Sequence, residues 1–232
     1  MDLRMKTLVD AVPACARVID VGCDHGQMSL ALAEREDVGA VLATDISAAS
    51  LSKLEQAKSL AAPAVARKIE TAVADGLRGL PWENTDVILV AGMGGPLMLR
   101  ILEAPLALGA TTWVLGPQSG LVDFRLVLYA MGRRVDEALV FNEGQFYPIF
   151  RVWMQEDVPP RAPSPVEAVY GPQLLAQRDP VLRQKLEADR RKMLGILEQL
   201  PIAGDRAAQR RRQLEEELAQ IDDLLKAFSE GE

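Results

Sequence analysis

Hydrophobic positions along the chain follow two alternating rhythms, one of period near 3.6 and one of continuous apolar runs. Leu3, Leu8, Val9 and Val12 mark one face of a short amphipathic helix that Pro13 closes. Ala16 to Val21 then reads as a strand ending at Gly22, and the stretch from about Gln27 to Arg35 as a helix. Gly39 to Thr44 is a second strand, and Ser47 is placed to cap a helix reaching about Leu60. Strands are expected near Ile69 to Ala74 and at Val87 to Ala91. A helix from Pro96 to Leu102, a strand from Thr112 to Leu115 and a helix from Leu121 to Met131 follow. Apolar strands alternating with helices predict an α/β fold whose parallel sheet is covered on both faces.

The rhythm then changes. Arg134 to Phe141 and Phe146 to Met154 both read as strands, joined only by Asn142, Glu143, Gly144 and Gln145. So short a connection requires an antiparallel hairpin. Pro159, Pro160, Pro163 and Pro165 mark a stiff linker. Beyond it Leu182, Leu186, Met193, Leu197 and Leu200 share one helical face. After a turn at Pro201 to Gly204, Asp205 can cap a second helix carrying Leu214, Leu218, Ile221, Leu225 and Phe228 at a/d spacing. The expected organisation is a first domain over 1–157, a linker over 158–180 and a coiled-coil-like helical hairpin over 181–232.

Composition narrows the class. Hydrophobic residues make up 49% of the 232, enough for a real core, and the net charge of −7 does not suggest bulk affinity for nucleic acid. A local basic face remains compatible with that sum. Cys15 and Cys23 form no disulfide framework and read as small thiols of a reducing compartment. The opening residues already contain Asp2 and Arg4 and do not read as a leader, and no apolar run approaches the ~20 residues of a membrane span. A soluble cytoplasmic protein is expected, with a monomer favoured and the helical hairpin left open as a dimerisation element.

Candidate chemistry sits at the strand ends. The first strand closes on Asp20, Val21, Gly22, Cys23, Asp24, His25 and Gly26. Glycine here lets backbone approach a ligand, and the next helix offers its first N–H groups to an anion. In S-adenosylmethionine that anion is the methionine carboxylate, while a nearby acid can hold the ammonium; an ordinary strand-to-helix turn is the alternative. The G-x-G-x-x-G spacing of dehydrogenases is absent. Asp45, followed by Ile46, ends the second strand about 20 residues on, where an acid accepts from both ribose hydroxyls of NAD, FAD or S-adenosylmethionine. Its other reading, a helix N-cap, competes with Ser47. Asp75-Gly76 suits the exocyclic amine of an adenine, or a plain turn. Gly92-Met93-Gly94-Gly95 predicts a loop with a side-chain-free surface where cofactor and acceptor meet, a merely flexible loop being the alternative. One histidine and two early cysteines leave no plausible zinc site, and no metal is expected.

Together these pieces resemble a known family. Asp20-x-Gly22-x-Asp24-His25, Asp75-Gly76-Leu77, Ile88 to Gly95 and Asn142 to Tyr147 are similar to the bacterial tRNA (adenine-22-N1)-methyltransferases, over nearly the whole chain. The resemblance implies a Rossmann-like class I methyltransferase sheet, S-adenosylmethionine as cofactor and tRNA as partner. The reaction it implies is methylation of N1 of an adenine in the D-arm region. One departure is Leu115-Gly116-Pro117-Gln118 where the family usually has Leu-x-Pro-Asn. The amide of Gln118 is displaced by one methylene, ~1.5 Å.

The residues agree with an N1 acceptor. N6 methylation uses an Asx-Pro-Pro-aromatic motif that this chain lacks, whereas the in-plane N1 lone pair needs only positioning and stabilisation of the developing cation. Asp24 is a candidate for that electrostatic role or for the cofactor ammonium, and His25 for orienting substrate or the Asp24 carboxylate. Tyr147 or Phe146 could stack on an extruded base, at most one of them being expected in the site. Between Arg178 and Arg212 ten Lys or Arg face five Asp or Glu. Arg190-Arg191-Lys192 and Arg210-Arg211-Arg212 are expected at similar height on the two arms, as a patch for tRNA phosphates or as a solvated flank. The rival functions are methyl transfer to another RNA, protein or small molecule, and a non-catalytic RNA-binding protein that keeps the fold.

Overall fold

The structure, a computed structural model, describes residues 1–201 and 205–230. The chain divides into two compact units, Met1–Gln173 and Leu174–Glu232. In the first, α1 (Leu3–Ala11) precedes β1 (Cys15–Val21), α2 (Gln27–Glu34), β2 (Val38–Asp45), α3 (Ala48–Leu60), α4 (Pro63–Ala66) and β3 (Ile69–Val73). Then come β4 (Val87–Ala91), α5 (Gly95–Leu102), α6 (Pro105–Leu108), β5 (Thr112–Gly116) and α7 (Leu121–Ala130). The unit closes with β6 (Arg133–Asn142), β7 (Gln145–Asp157) and α8 (Pro165–Tyr170). Next come α9 (Pro172–Ala176), α10 (Pro180–Gln199) and α11 (Asp205–Ser229).

The seven strands lie in the order β3-β2-β1-β4-β5-β7-β6. The first five are mutually parallel, while β7 runs antiparallel to β5 and to β6. The fold is therefore the expected Rossmann-like sheet ending in an antiparallel hairpin. Alternate residues of each strand feed two cores. Val18, Val41, Leu89 and Val114 meet Leu8 of α1, Leu32 of α2 and Leu54 of α3, whereas Ile19, Leu42, Ile88 and Leu115 meet Met98 of α5 and Phe124 and Leu128 of α7. Both faces of β4 are buried along its whole length, which is why it reads as an unbroken apolar run.

Prolines that break the sequence pattern open helices instead. Pro63, Pro105 and Pro165 take the first turns of α4, α6 and α8, where the missing N–H costs nothing. Two of these lie in segments without a sequence-level helix signal, and α8 lies within 158–180. A buried ion pair ties this end of the unit together. Arg125 of α7 donates to Glu137 Oε1 on β6 at 2.9 and 2.6 Å, and to the carbonyls of Ala168 and Val169 in α8 at 2.9 and 2.7 Å.

In the second unit α10 and α11 form an antiparallel hairpin, with Leu182, Leu186, Leu214, Ile221 and Phe228 buried. Arg190 Nε donates to Asp222 Oδ1 at 2.6 Å, and Arg211 reaches the carbonyls of Leu197 and Leu200, both at 3.4 Å. Residues 202–204 of the expected turn lie outside the described residues, and α11 begins at Asp205.

Candidate active site

Strand order reverses between β1 and β4, and α/β sheets bind ligands in the crevice beyond the carboxyl ends at such a point. A cavity of about 480 Å³ opens there. Its floor is the turn after β1. The N–H groups of Gly22 and Cys23 both donate to the Thr44 carbonyl, at 2.8 and 2.9 Å, and so lock this turn to β2. Gly22 and Gly26 have φ of +72°, and Asp24 adopts a left-handed φ of +51°. A non-glycine residue there carries a cost of order 1–3 kcal/mol that surrounding structure must sustain. The Asp45 carboxylate helps sustain it, accepting the Asp24 N–H at 3.1 Å on Oδ2 and the Ser47 N–H at 2.8 Å on Oδ1.

The N-terminus of α2 has Gly26 as its cap and no side-chain acceptor, and Gln27 and Met28 of its first turn line the cavity. Unsatisfied N–H groups at that end favour an anion. On the opposite wall, Asp45 has lone pairs left for two more donors, because each carboxylate oxygen accepts twice. Ser47 caps α3 with its own hydroxyl, so Asp45 is not needed there. Asp75 and Gly76 line the wall after β3, and Ile46, 74% exposed, stands at the mouth as an apolar surface that a flat ring would cover. A molecule with a carboxylate, an ammonium, a ribose diol and an adenine fits this donor and acceptor set. Asp24 and His25 also line the cavity, with His25 Nε2 3.5 Å from Asp24 Oδ1 and 3.4 Å from Lys53 Nζ.

Other expected site residues lie elsewhere. Asp20 is fully buried and is not part of the cavity wall; its Oδ2 accepts from the Ser29 hydroxyl of α2 at 2.6 Å. Its Oδ1 has no hydrogen bond among the described residues. Burial pushes the Asp20 carboxyl up to about 6, against the lowering bond from Ser29 and with a further push from the Asp45 charge. Burial, with the charges of Asp20, Asp45 and Asp24, also pushes the Cys23 thiol far up, so this cavity-lining sulfur stays protonated and inert.

The loop after β4 is not bare of side chains as its glycines suggest. Gly92 and Met93 line the cavity, but the Met93 methyl fills the space beside Gly22, where a Cβ would meet it at 2.2 Å. Gly94 lies off the wall; a Cβ there would meet Ser119 Oγ at 2.8 Å, and one at Gly95 the Ser119 carbonyl at 2.9 Å. These two glycines serve the close packing of the β4 and β5 loops, which also share backbone bonds from Gly95 to Ser119 and from Gln118 to Met93, both at 2.9 Å.

Gln118 lines the cavity and also a side pocket of about 180 Å³. Phe146 and Tyr147 both border that side pocket and neither lines the main cavity; the Phe146 ring packs tilted against Phe141 across the hairpin, centroids 4.7 Å apart. The sequence reading missed Arg4, Met5 and Leu8 of α1, which supply part of the cavity wall. Their only sequence signal is a helix set immediately before the first strand.

The basic clusters of the second unit do not share one height. Arg190 pairs with Asp222, while Arg211 meets carbonyls seven to ten residues further along α10, an offset of about 10–15 Å at the helical rise. Arg190 and Arg211 are held within the hairpin, and Arg210 lies 3.9 Å from Glu217. Arg191, Lys192 and Arg212 are exposed and carry no ion pair among the described residues. Among those residues there is also no group of His, Cys, Asp or Glu suited to a metal, and no helix long and apolar enough to cross a membrane.

Known proteins match this architecture along its length. The tRNA (adenine(22)-N(1))-methyltransferase of Bacillus subtilis strain 168 is 26% identical over 229 residues, covering 96% of this chain and 94% of the relative. The crystal structure of Streptococcus pneumoniae Sp1610 superposes with a TM-score of 0.82 at 26% identity, over 97% of this chain and 99% of that one. Sp1610 in complex with S-adenosyl-L-methionine gives a TM-score of 0.77 at 25% identity, over 96% and 98%. The family description of a methyltransferase domain matches residues 1–150, which hold the first six strands, the start of β7 and every residue that lines the cavity. On that match the chain belongs to the methyltransferase domain family.

Proposed function

We propose that this protein transfers a methyl group from S-adenosylmethionine to N1 of adenine 22 in tRNA. One observation carries the reading. A single cavity gathers Asp24, Asp45, Asp75 and the uncapped start of α2 in a chain that aligns end to end with a tRNA (adenine(22)-N(1))-methyltransferase. When bound, the cofactor supplies an electrophilic methyl on a sulfonium centre. Asp45 would hold the ribose hydroxyls, Asp75 the adenine amine, Ile46 one face of the adenine, and the N–H groups of Gln27 and Met28 the carboxylate. Gly22, Cys23, Gly76, Gly92 and Met93 complete the wall, while Asp20 acts from below by fixing α2 through Ser29.

Attack by N1 needs no base, because the ring nitrogen carries no proton to lose. The acceptor changes from neutral to cationic, so a carboxylate without a strong cation beside it is the useful group. Asp24 is assigned that role: 75% of its side chain is exposed, and among the described residues no Lys or Arg pairs with it, His25 lying at 3.5 Å. His25 is assigned the orientation of Asp24. Gln118 and Tyr147, which border the side pocket next to the cavity, would meet the acceptor. Arg191, Lys192 and Arg212, with Arg190, Arg210 and Arg211 behind them, would meet tRNA phosphates. Work on tRNA would place the protein in the cytoplasm.

Methylation of bulk tRNA followed by nucleoside analysis is the test. N1-methyladenosine at position 22 is expected; its absence, or its appearance elsewhere, overturns the proposal. In the same assay Asp24→Asn should lower kcat by about a hundredfold or more, in line with the loss of one preorganised electrostatic partner. Cofactor affinity should change little. A variant that turns over normally, or that loses cofactor binding instead, removes Asp24 from the reacting centre.

A further inference from the structure

A side pocket adjoins the cofactor cavity, and Arg4 of the cavity wall lies against a residue that borders it. The pocket is bounded by Pro117, Gln118, Leu121, Gln145, Phe146 and Tyr147. Its 180 Å³ is space for about six waters at ~30 Å³ each, the scale of one planar heterocycle and far short of a dinucleotide. Two amides and a phenol face it, and the Tyr147 hydroxyl donates to Gln145 Oε1 at 3.1 Å. Amides present both donors and acceptors, as base edges require, and aromatic rings accept stacked bases. Gln118 borders this pocket and the main cavity alike.

Arg4 belongs to the wall of the main cavity and contacts the rim of the side pocket. It lines the main cavity, and its guanidinium carbon lies 5.0 Å from the centroid of the Tyr147 ring, which borders the pocket. Among the described residues it has no carboxylate partner, although stacking on Tyr147 fixes its place. Consecutive nucleotides are joined by one phosphate of unit negative charge, and a guanidinium matches that group in charge and in fork geometry. Two compartments that share a wall, with one cation at their junction, match two neighbouring bases and the phosphate between them.

We propose that the side pocket receives the unpaired base adjacent to the methylated adenine, and that Arg4 holds the phosphate joining the two. The inference rests on the reading of the chain as an RNA adenine methyltransferase. It adds that the enzyme reads a splayed dinucleotide step rather than a single extruded base, with Gln118 and Gln145 sensing the neighbour.

The test uses tRNA ligated from synthetic pieces, with a neutral methylphosphonate at one or the other phosphate flanking the target, or an abasic site at one or the other neighbour. kcat/KM for methylation is measured with the wild-type protein, Arg4→Ala and Gln145→Ala. One neutral linkage should cost the wild type about tenfold and cost Arg4→Ala nothing further, as expected for a single lost phosphate contact. An abasic neighbour on the same side should cost the wild type about tenfold and Gln145→Ala little. Affinity for S-adenosylmethionine should be unchanged in Gln145→Ala, and every comparison with Arg4→Ala is made at saturating S-adenosylmethionine. Tolerance of both lesions by the wild type, or losses that multiply with the substitutions, overturns the inference while leaving the methyltransferase reading intact. Failure of the wild type to methylate unaltered tRNA overturns the parent reading and this one with it.

Discussion

Carboxylates at the carboxyl ends of β1 to β3 stand in opposite surroundings to those on β6 and β7. At the hairpin edge each acid has arginine beside it. Glu137 is held by Arg125, Asp157 by Arg133, and Glu156 by Arg134. Asp136 takes Trp153 at 2.7 Å and Arg151 at 3.0 Å. Burial pushes Asp136 up, but those two hydrogen bonds and the charges of Arg134 and Arg151 outweigh it and hold the carboxyl below its ordinary range. At the cavity, among the described residues, Asp45 accepts from two backbone N–H groups with capacity left over, Asp24 has His25 at 3.5 Å, and Asp75 has the exposed Arg78 at 3.8 Å. One region spends its charges on holding its own elements together. The other leaves acceptor capacity on its carboxylates open to the donors of a ligand.

That contrast can be broken from either side. The largest effect is expected from Arg125→Ala, which strands Glu137 in the interior and should remove about 3–5 kcal/mol of unfolding free energy in denaturant titration. A loss below about 1 kcal/mol would mean the pair is not an anchor. Asp45→Asn should weaken S-adenosylmethionine binding by about 10–100-fold in calorimetry, some 1.4–2.8 kcal/mol, with a much smaller change in stability. Equal losses in both would place Asp45 among the anchoring acids instead. Asp20 sharpens the comparison through pH. Its folded carboxyl keeps a proton up to about pH 6, while the unfolded chain releases it near 3.8. Between those values only the folded state binds the proton, so stability falls as pH rises, by on the order of 2–3 kcal/mol, and stays low above pH 6. Asp20→Asn should flatten this slope when stability is measured at pH 4.5 and pH 7; an unaltered slope would exclude Asp20 as its source.

Much of this arrangement was legible before any coordinates. The alternation of apolar runs and helical faces gave the sheet, and the four residues between Phe141 and Phe146 required the hairpin that ends it. Acids placed just after strands predicted Asp24, Asp45 and Asp75 on the cavity wall, because parallel strands align their carboxyl ends by construction. Asp20 escaped that logic by strand alternation, which turns it toward α2 and Ser29 rather than toward the cavity. Arg4 was invisible as a site residue, since only the packing of α1 beside the sheet ends brings it there. Arg125 lay inside an apolar helix with no sign of its partner twelve residues on. The offset of the two basic clusters depends on hairpin register, which Arg190–Asp222 and the Arg211 contacts report and which a/d spacing leaves undetermined.

The methyl of Met93 beside Gly22 has a consequence for timing. A ligand that touches Gly22 from that side must first displace a thioether chain. Rotamer exchange of such a chain takes picoseconds to nanoseconds, far faster than any diffusive encounter at cellular concentrations. The displacement enters both rate and affinity through the fraction of time the side chain already stands aside: a shorter residue at 93 raises that fraction, speeding association and lowering the dissociation constant by the same factor while dissociation stays as it is.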